Sequence, residues 1–132
     1  MIKTQTYLNE IQDDNFMKRF PPWIGFDLDG TLAYYVHGYA SEDKIGPPIA
    51  GMIEVMKDWI SKGYTVKIMT ARAAVKEQIP PIKEWLKEHN LPDIEITNVK
   101  DPGMVILYDD RAVQVEKNTG RIMGDPSVIT VE

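Results

Sequence analysis

The chain predicts an α/β fold, a parallel sheet flanked by helices, and three observations carry that expectation. Apolar runs of strand length, residues 23–28, 64–69, 94–99 and 105–108, are mostly separated by stretches of helical periodicity. The polar residues able to do chemistry fall at the ends of those runs or just beyond them. And 132 residues suffice for one domain with a real core, leaving little for a second. The expected organisation is an N-terminal extension over residues 1–20, then a single domain over residues 21–132.

The elements follow in order. Residues 1–20 are polar and mixed in charge, which predicts a short peripheral helix or partial disorder. Residues 23–28 form the first strand. Residues 33–48 hold Tyr34, Tyr35, His37, Gly38 and Tyr39 and close on Gly46-Pro47-Pro48, the composition of a short hairpin or flap rather than a helix. Ile49, Met52, Ile53, Met56 and Ile60 then recur at helical spacing, with Gly63 as the stop. At that spacing the methionines are core packing, not a cofactor site. A second strand, residues 64–69, leads into a helical region over residues 73–89, interrupted near Pro80-Pro81, where proline suits the first turn of a fresh helix. Strands three and four are separated by Asp101-Pro102-Gly103, a turn sequence. Residues 112–116 and 121–123 read as a hairpin around Asn118-Thr119-Gly120, and residues 127–131 as a last edge strand.

Composition narrows the function classes. With 43% hydrophobic and 27% charged residues the chain is an ordinary globular domain, and no apolar run reaches membrane-spanning length. No signal-peptide layout opens it and it has no cysteine, so a cytoplasmic location is expected, with no disulfide framework and no thiolate metal site. The formal net charge of -5, with no basic run longer than Lys18-Arg19, argues against a nucleic-acid-coating role without excluding nucleic acid as a partner. No membrane partner is expected.

The chemistry concentrates in Phe26-Asp27-Leu28-Asp29-Gly30-Thr31-Leu32. Alternation along a strand sends Asp27 and Asp29 to the same side while Leu28 turns into the core. A carboxylate with an ordinary pKa of about 3.9 is ionised at neutral pH, so Asp27 can attack without a general base. Asp29 must instead carry a proton, and the charge of its neighbour is a reason for the pair to split. Gly30 permits a sharp turn after them. Asp-x-Asp-Gly is also a common turn at a strand end, and the other sites have equally plain readings: Thr70 as a helix cap, Lys100 as a loop lysine, Asp109-Asp110 as a turn before Arg111. In a parallel sheet, however, all of them gather at the carboxyl ends of the strands, where such folds bind ligands.

With those residues in view, the chain resembles the haloacid dehalogenase-like superfamily of phosphatases over residues 23–115. Residues 26–32 match its first motif, Ile68-Met69-Thr70-Ala71-Arg72 resembles the second, Lys100 is the best match for the third, and residues 106–112 resemble the tandem-aspartate form of the fourth. The resemblance implies a Rossmann-like sheet, Asp27 as nucleophile forming an aspartyl-phosphate, and Asp29 as general acid and base. It also implies Mg2+ held by the Asp27 carboxylate, the main-chain carbonyl of Asp29 and Asp110, with Asp109 behind it, although Asp109 and Asp110 could exchange roles. Thr70, Ala71 and Lys100 would bind the phosphoryl group; Arg72 and Arg111 are weaker candidates, Arg111 as a brace for the acidic loop.

Neither interval in which this superfamily carries its cap domain has room for one, so a capless member with an open site is expected, acting on a phosphorylated substrate of unknown class. A homo-oligomer would be one source of a lid. Nucleotide or polynucleotide-end phosphatase, phosphotransferase and non-catalytic binding module remain alternatives. A phosphorylation-receiver domain uses similar residues, but its acidic pair precedes the phosphoacceptor, whereas Asp109-Asp110 comes last here.

Overall fold

The computed structural model describes residues 14–124. After a short helix α1 (Asp14–Arg19) come β1 (Trp23–Phe26), α2 (Ala50–Ser61), β2 (Val66–Met69), two 3-10 turns (Ala71–Ala74 and Lys76–Gln78), α3 (Ile79–Glu88), β3 (Glu95–Thr97), β4 (Met104–Tyr108) and the strands β5 (Gln114–Val115) and β6 (Ile122–Met123). Strands one to four form one sheet in the order β3-β2-β1-β4, every neighbouring pair parallel. The α/β class expected from the sequence is the one observed. The chain builds outward from β1 through β2 to β3, then returns to β4 on the other flank of β1. That reversal opens a crevice at the carboxyl ends of β1 and β4.

β1 is the central strand, and all four of its residues are buried, as a strand covered on both faces requires. Ile24, Phe26 and Leu28 join Ile53 and Met56 of α2, Ile68 of β2 and Ile82, Trp85 and Leu86 of α3 in one core. The helical stripe beginning at Ile49 is present, with Gly63 at φ +87° ending its last turn. Pro80 and Pro81 stand in the first turn of α3, and the residues before them wind into 3-10 turns instead of joining that helix. The strands are shorter than their apolar runs. β3 ends at Thr97 instead of Val99, and the link from β3 to β4 carries no helix.

The flap expected over residues 33–48 is present, but as turns rather than a hairpin. Its neck closes through an isolated Ala33–Pro48 bridge and a hydrogen bond from Tyr34 N to Pro47 O at 2.8 Å, and its span contains no strand. The terminal hairpin forms around Asn118 and Gly120, both in the left-handed region at φ +64° and +78°. The expected edge strand at residues 127–131, and most of the N-terminal extension, lie outside the described residues. Among the described residues no helix is long and apolar enough to cross a membrane.

Candidate active site

Asp27 leaves β1 with its backbone still in the sheet: its N–H donates to Tyr108 O at 2.9 Å, and the rings of Phe26 and Tyr108 stack 4.6 Å apart. This pairing runs the ends of β1 and β4 side by side, so the acidic pair after β4 faces the acidic pair after β1. Carboxylate oxygens of Asp27, Asp109 and Asp110 all lie within 4.8 Å of one another.

Two local devices hold that cluster together. Thr31 Oγ1 accepts from Asp110 N at 3.2 Å and donates to Asp110 Oδ1 at 3.3 Å, so the threonine of the first motif braces the fourth. Gly30, at φ +86°, has no Cβ because a Cβ there would overlap the Asp110 carboxylate. Asp109 Oδ1 accepts from Arg111 N at 2.7 Å, an Asx-type turn that shapes the acidic loop.

The electrostatics differ from the sequence expectation. Asp27, expected to be ionised from the outset, is pushed up to about 8. Burial is the largest cause, followed by a side-chain hydrogen bond with Asp110 and the negative charges of Asp109 and Asp110. Three carboxylates crowded at a half-buried strand end cannot all carry charge cheaply unless a cation joins them. The donor set is all oxygen and anionic, which suits a hard divalent cation such as magnesium.

Asp29 is turned elsewhere. Arg72 Nε and Nη2 donate to Asp29 Oδ2 and Oδ1, both at 2.8 Å, in a bidentate pair. Arg72 is itself buried, with 5% of its surface exposed, and Nη2 also donates to Lys44 O in the flap at 2.7 Å. Sequence reasoning ranked Arg72 as a weaker candidate. Its signal was available as the arginine two residues beyond the strand-ending threonine, but its partner lies 43 positions away.

Between these two acidic centres lies a cleft of about 670 Å³. Asp27, Asp29, Asp109, Thr70, Ala71, Arg72 and Arg111 line it, with Tyr35 and Ser41 from the flap, Gln78, and Asn98 after β3. Thr70 is buried, and its Oγ1 accepts from Arg72 N at 3.2 Å, capping the first 3-10 turn. Lys100 is exposed and is not among the cleft-lining residues; because β3 stops at Thr97, Asn98 takes the place at the cleft wall. Tyr35 was named from sequence as part of the aromatic flap, whereas Gln78 and Asn98 were not singled out.

A family model described as PITM 1-3, LNS2 domain matches residues 24–115. That range contains the cleft. Among curated proteins, the membrane-associated phosphatidylinositol transfer protein 2 of Mus musculus is 29% identical over 76 residues, and the Homo sapiens protein of the same name is 30% identical over 70 residues. These matches cover 58% and 53% of this chain but only 5% of each relative. No solved structure matches the chain.

Proposed function

The chain belongs to the PITM 1-3 LNS2 domain family, within the haloacid dehalogenase-like superfamily, and on that footing we propose that it is a magnesium-dependent phosphatase working through an aspartyl-phosphate. The observation that carries this reading is the meeting of Asp27, Asp109 and Asp110, with oxygens within 4.8 Å of one another, at the wall of a cleft that also holds Thr70 and the Arg72-paired Asp29.

The carboxylates of Asp27, Asp109 and Asp110, with the main-chain carbonyl of Asp29, would hold the cation. A bound magnesium ion supplies positive charge that offsets the cluster's own repulsion and that of the phosphoryl oxygens. In the first step an Asp27 oxygen bonds to phosphorus as the bond to the leaving oxygen breaks, and Asp29, once an oxygen has left Arg72 and taken up a proton, gives that proton to the leaving oxygen. In the second step water attacks the same phosphorus, Asp29 takes the water's proton, and the bond to Asp27 breaks. One water is consumed, and an alcohol and inorganic phosphate are released. The hydroxyl of Thr70 and the main chain at Ala71 donate to the phosphoryl oxygens, where charge accumulates in the transition state.

The test is magnesium-dependent phosphate release from p-nitrophenyl phosphate by the wild type and Asp27→Asn, with EDTA as control. Loss of nucleophile should reduce turnover on the order of 10⁴-fold or more. Equal rates in the two proteins would remove Asp27 as nucleophile. Once turnover is established, the substrate screen extends to nucleotides, polynucleotide ends, phosphoproteins and phosphoinositides.

A second reading, a non-catalytic module for phosphate-bearing lipids, is favoured by a specific feature. Among the described residues, the exposed apolar side chains Tyr34, Val36, Val75, Val99 and Val113 lie in segments that follow the carboxyl ends of β1, β2, β3 and β4, while Val115 and Ile122 lie in the terminal hairpin. The relatives carry membrane association and phosphatidylinositol transfer in their names. Magnesium-dependent binding of phosphoinositide vesicles without any phosphate release would decide for the module.

A further inference from the structure

The strand order divides the cleft into two sides of different chemistry. β1 and β4 bring Asp27, Asp29, Asp109 and Arg111 to one side, whereas β2 and β3 bring Met69, Val75, Gln78 and Asn98 to the other. The flap reaches toward the second side: Arg72 Nη2 donates to Lys44 O at 2.7 Å, Gln78 Nε2 reaches Ala40 O at 3.4 Å, and Tyr35 and Ser41 of the flap complete the wall. Arg72 is the one cation lining this side among the described residues, and its Nε and Nη2 are committed to Asp29 and the Lys44 carbonyl. A leaving group bearing further phosphates would meet no other cation there, so the lining suits a neutral one.

Three features of that wall narrow the class. Tyr35 is half-buried, with its ring 6.0 Å from that of Tyr39 at an interplanar angle of 76°, and Tyr39 carries Lys44 Nζ 4.6 Å over its own face. An aromatic side chain is thus held at the cleft by a braced neighbour, and a flat ring is the partner that gains most from it. Second, among the described residues the Asn98 amide and the Tyr35 hydroxyl have no hydrogen-bond partner, and the Gln78 amide has only the long contact to Ala40 O. An amide presents a donor beside an acceptor, the pattern that the edge of a nucleobase also presents. Third, Met69 and Val75 add apolar surface between these polar groups. A polyol would leave hydroxyls against the two apolar side chains, and an acyl chain would leave the amides unanswered. A planar heterocycle has an apolar face and a polar edge, and satisfies both. The cleft volume of about 670 Å³ also falls in the range of small-molecule sites, about 300–1,000 Å³.

We infer that the substrate is a nucleoside monophosphate, with its phosphoryl group at Asp27, Thr70 and Ala71 and its base under the flap, stacked on Tyr35 and hydrogen-bonded along its edge by Gln78 and Asn98. The inference rests on the phosphatase reading and deepens it. Hydrolysis then breaks the bond between phosphorus and the ester oxygen, consumes one water and releases the nucleoside and inorganic phosphate. Tyr35, Gln78 and Asn98 are specificity residues, acting on the half of the substrate that does not react.

The test measures kcat/KM, in magnesium, for adenosine, guanosine, cytidine and uridine 5′-monophosphates and for ribose 5-phosphate, which is the same ester without a base. p-Nitrophenyl phosphate gauges turnover. The wild type should prefer the best of the nucleotides to ribose 5-phosphate by about 5- to 150-fold, the worth of one base stacked on an aromatic ring. Tyr35→Leu should bring the two esters to within about threefold of one another, and Tyr35→Phe, which keeps the ring, should retain most of the preference. Asn98→Ala, at an exposed position, should lower the preference by about 2- to 10-fold, the worth of one hydrogen bond. Equal kcat/KM for nucleotides and ribose 5-phosphate in the wild type overturns the inference alone. So does a preference unchanged in Tyr35→Leu, or in Asn98→Ala where Tyr35→Leu does not fold, and so does faster phosphate release from phosphoinositide vesicles or a phosphopeptide than from any nucleotide. If the wild type releases phosphate from none of these esters, p-nitrophenyl phosphate included, the phosphatase reading falls and takes this inference with it.

Discussion

Asp27 and Asp29 are two residues apart on one loop, yet they occupy opposite electrostatic surroundings. Asp27 sits among carboxylates, its pKa raised first by burial and then by Asp110 and Asp109, while Asp29 has both oxygens committed to the guanidinium of a buried arginine. Both follow the end of β1 at Phe26, and their partners draw them apart. The proximity of two aspartates therefore does not by itself divide their labour. The division is made by β4, which brings negative charge to one of them, and by the turn after β2, which brings positive charge to the other.

The contrast can be broken first by stability. Removing Asp29 strands a buried cation, so Asp29→Ala should destabilise the fold by about 3–5 kcal/mol. Replacing Asp27, which must take up a proton to fold at neutral pH, should do the reverse, and Asp27→Asn in EDTA should be as stable as the wild type or more so. Urea unfolding of both variants at neutral pH reads the two signs directly. If both lose stability to a similar degree, the two surroundings are not opposed.

The second way is pH. The pKa of Asp27 is raised from 3.8 to about 8 in the folded protein, so the native state holds a proton that the unfolded chain has released across that interval. In EDTA, stability should therefore fall as pH climbs from about 4 to about 8 and level off above, the opposite slope to a carboxylate paired with a cation. A divalent cation competes with that proton. Magnesium affinity measured by calorimetry should rise with pH, by up to about tenfold per unit, and flatten beyond about 8. A pH-independent affinity across that range would mean that Asp27 is not a ligand.

The same contrast shows what could be read from the sequence. The acidic centre was legible because its parts are local: an apolar strand, an Asp-x-Asp-Gly loop and a second acidic pair at another strand end. Even so, the reason that Gly30 must be glycine, the Asp110 carboxylate lying against it, is 80 positions away and emerges only when β1 and β4 pair. The partner of Arg72 was hidden for the same reason. A buried arginine and a surface arginine look alike in a sequence, and only the packed turn after β2 distinguishes them. The fold class followed from the alternating elements, while strand ends did not, since hydrophobic runs continue past the last ladder hydrogen bond.

That boundary error decides the smallest expected effect. Taking the third apolar run through Val99 set Lys100 at the end of a strand, in the place where a cation would meet the phosphoryl group. With β3 ending at Thr97, Thr97 Oγ1 instead accepts from Val99 N at 3.0 Å, and the chain turns so that Asn98 lines the cleft and Lys100 faces solvent. A solvated lysine outside the cleft contributes little to either ground or transition state. Lys100→Ala should change kcat/KM for p-nitrophenyl phosphate by no more than about twofold, within the range of surface substitutions. Asn98→Ala, which removes an amide from the cleft wall, should change it more. A loss of 10²-fold or greater in Lys100→Ala, on the scale of a transition-state donor, would mean that residues 98–103 rearrange when substrate binds and carry the lysine inward. The cation opposite the acidic cluster would then come from that loop, and Arg72 would be left to Asp29 alone.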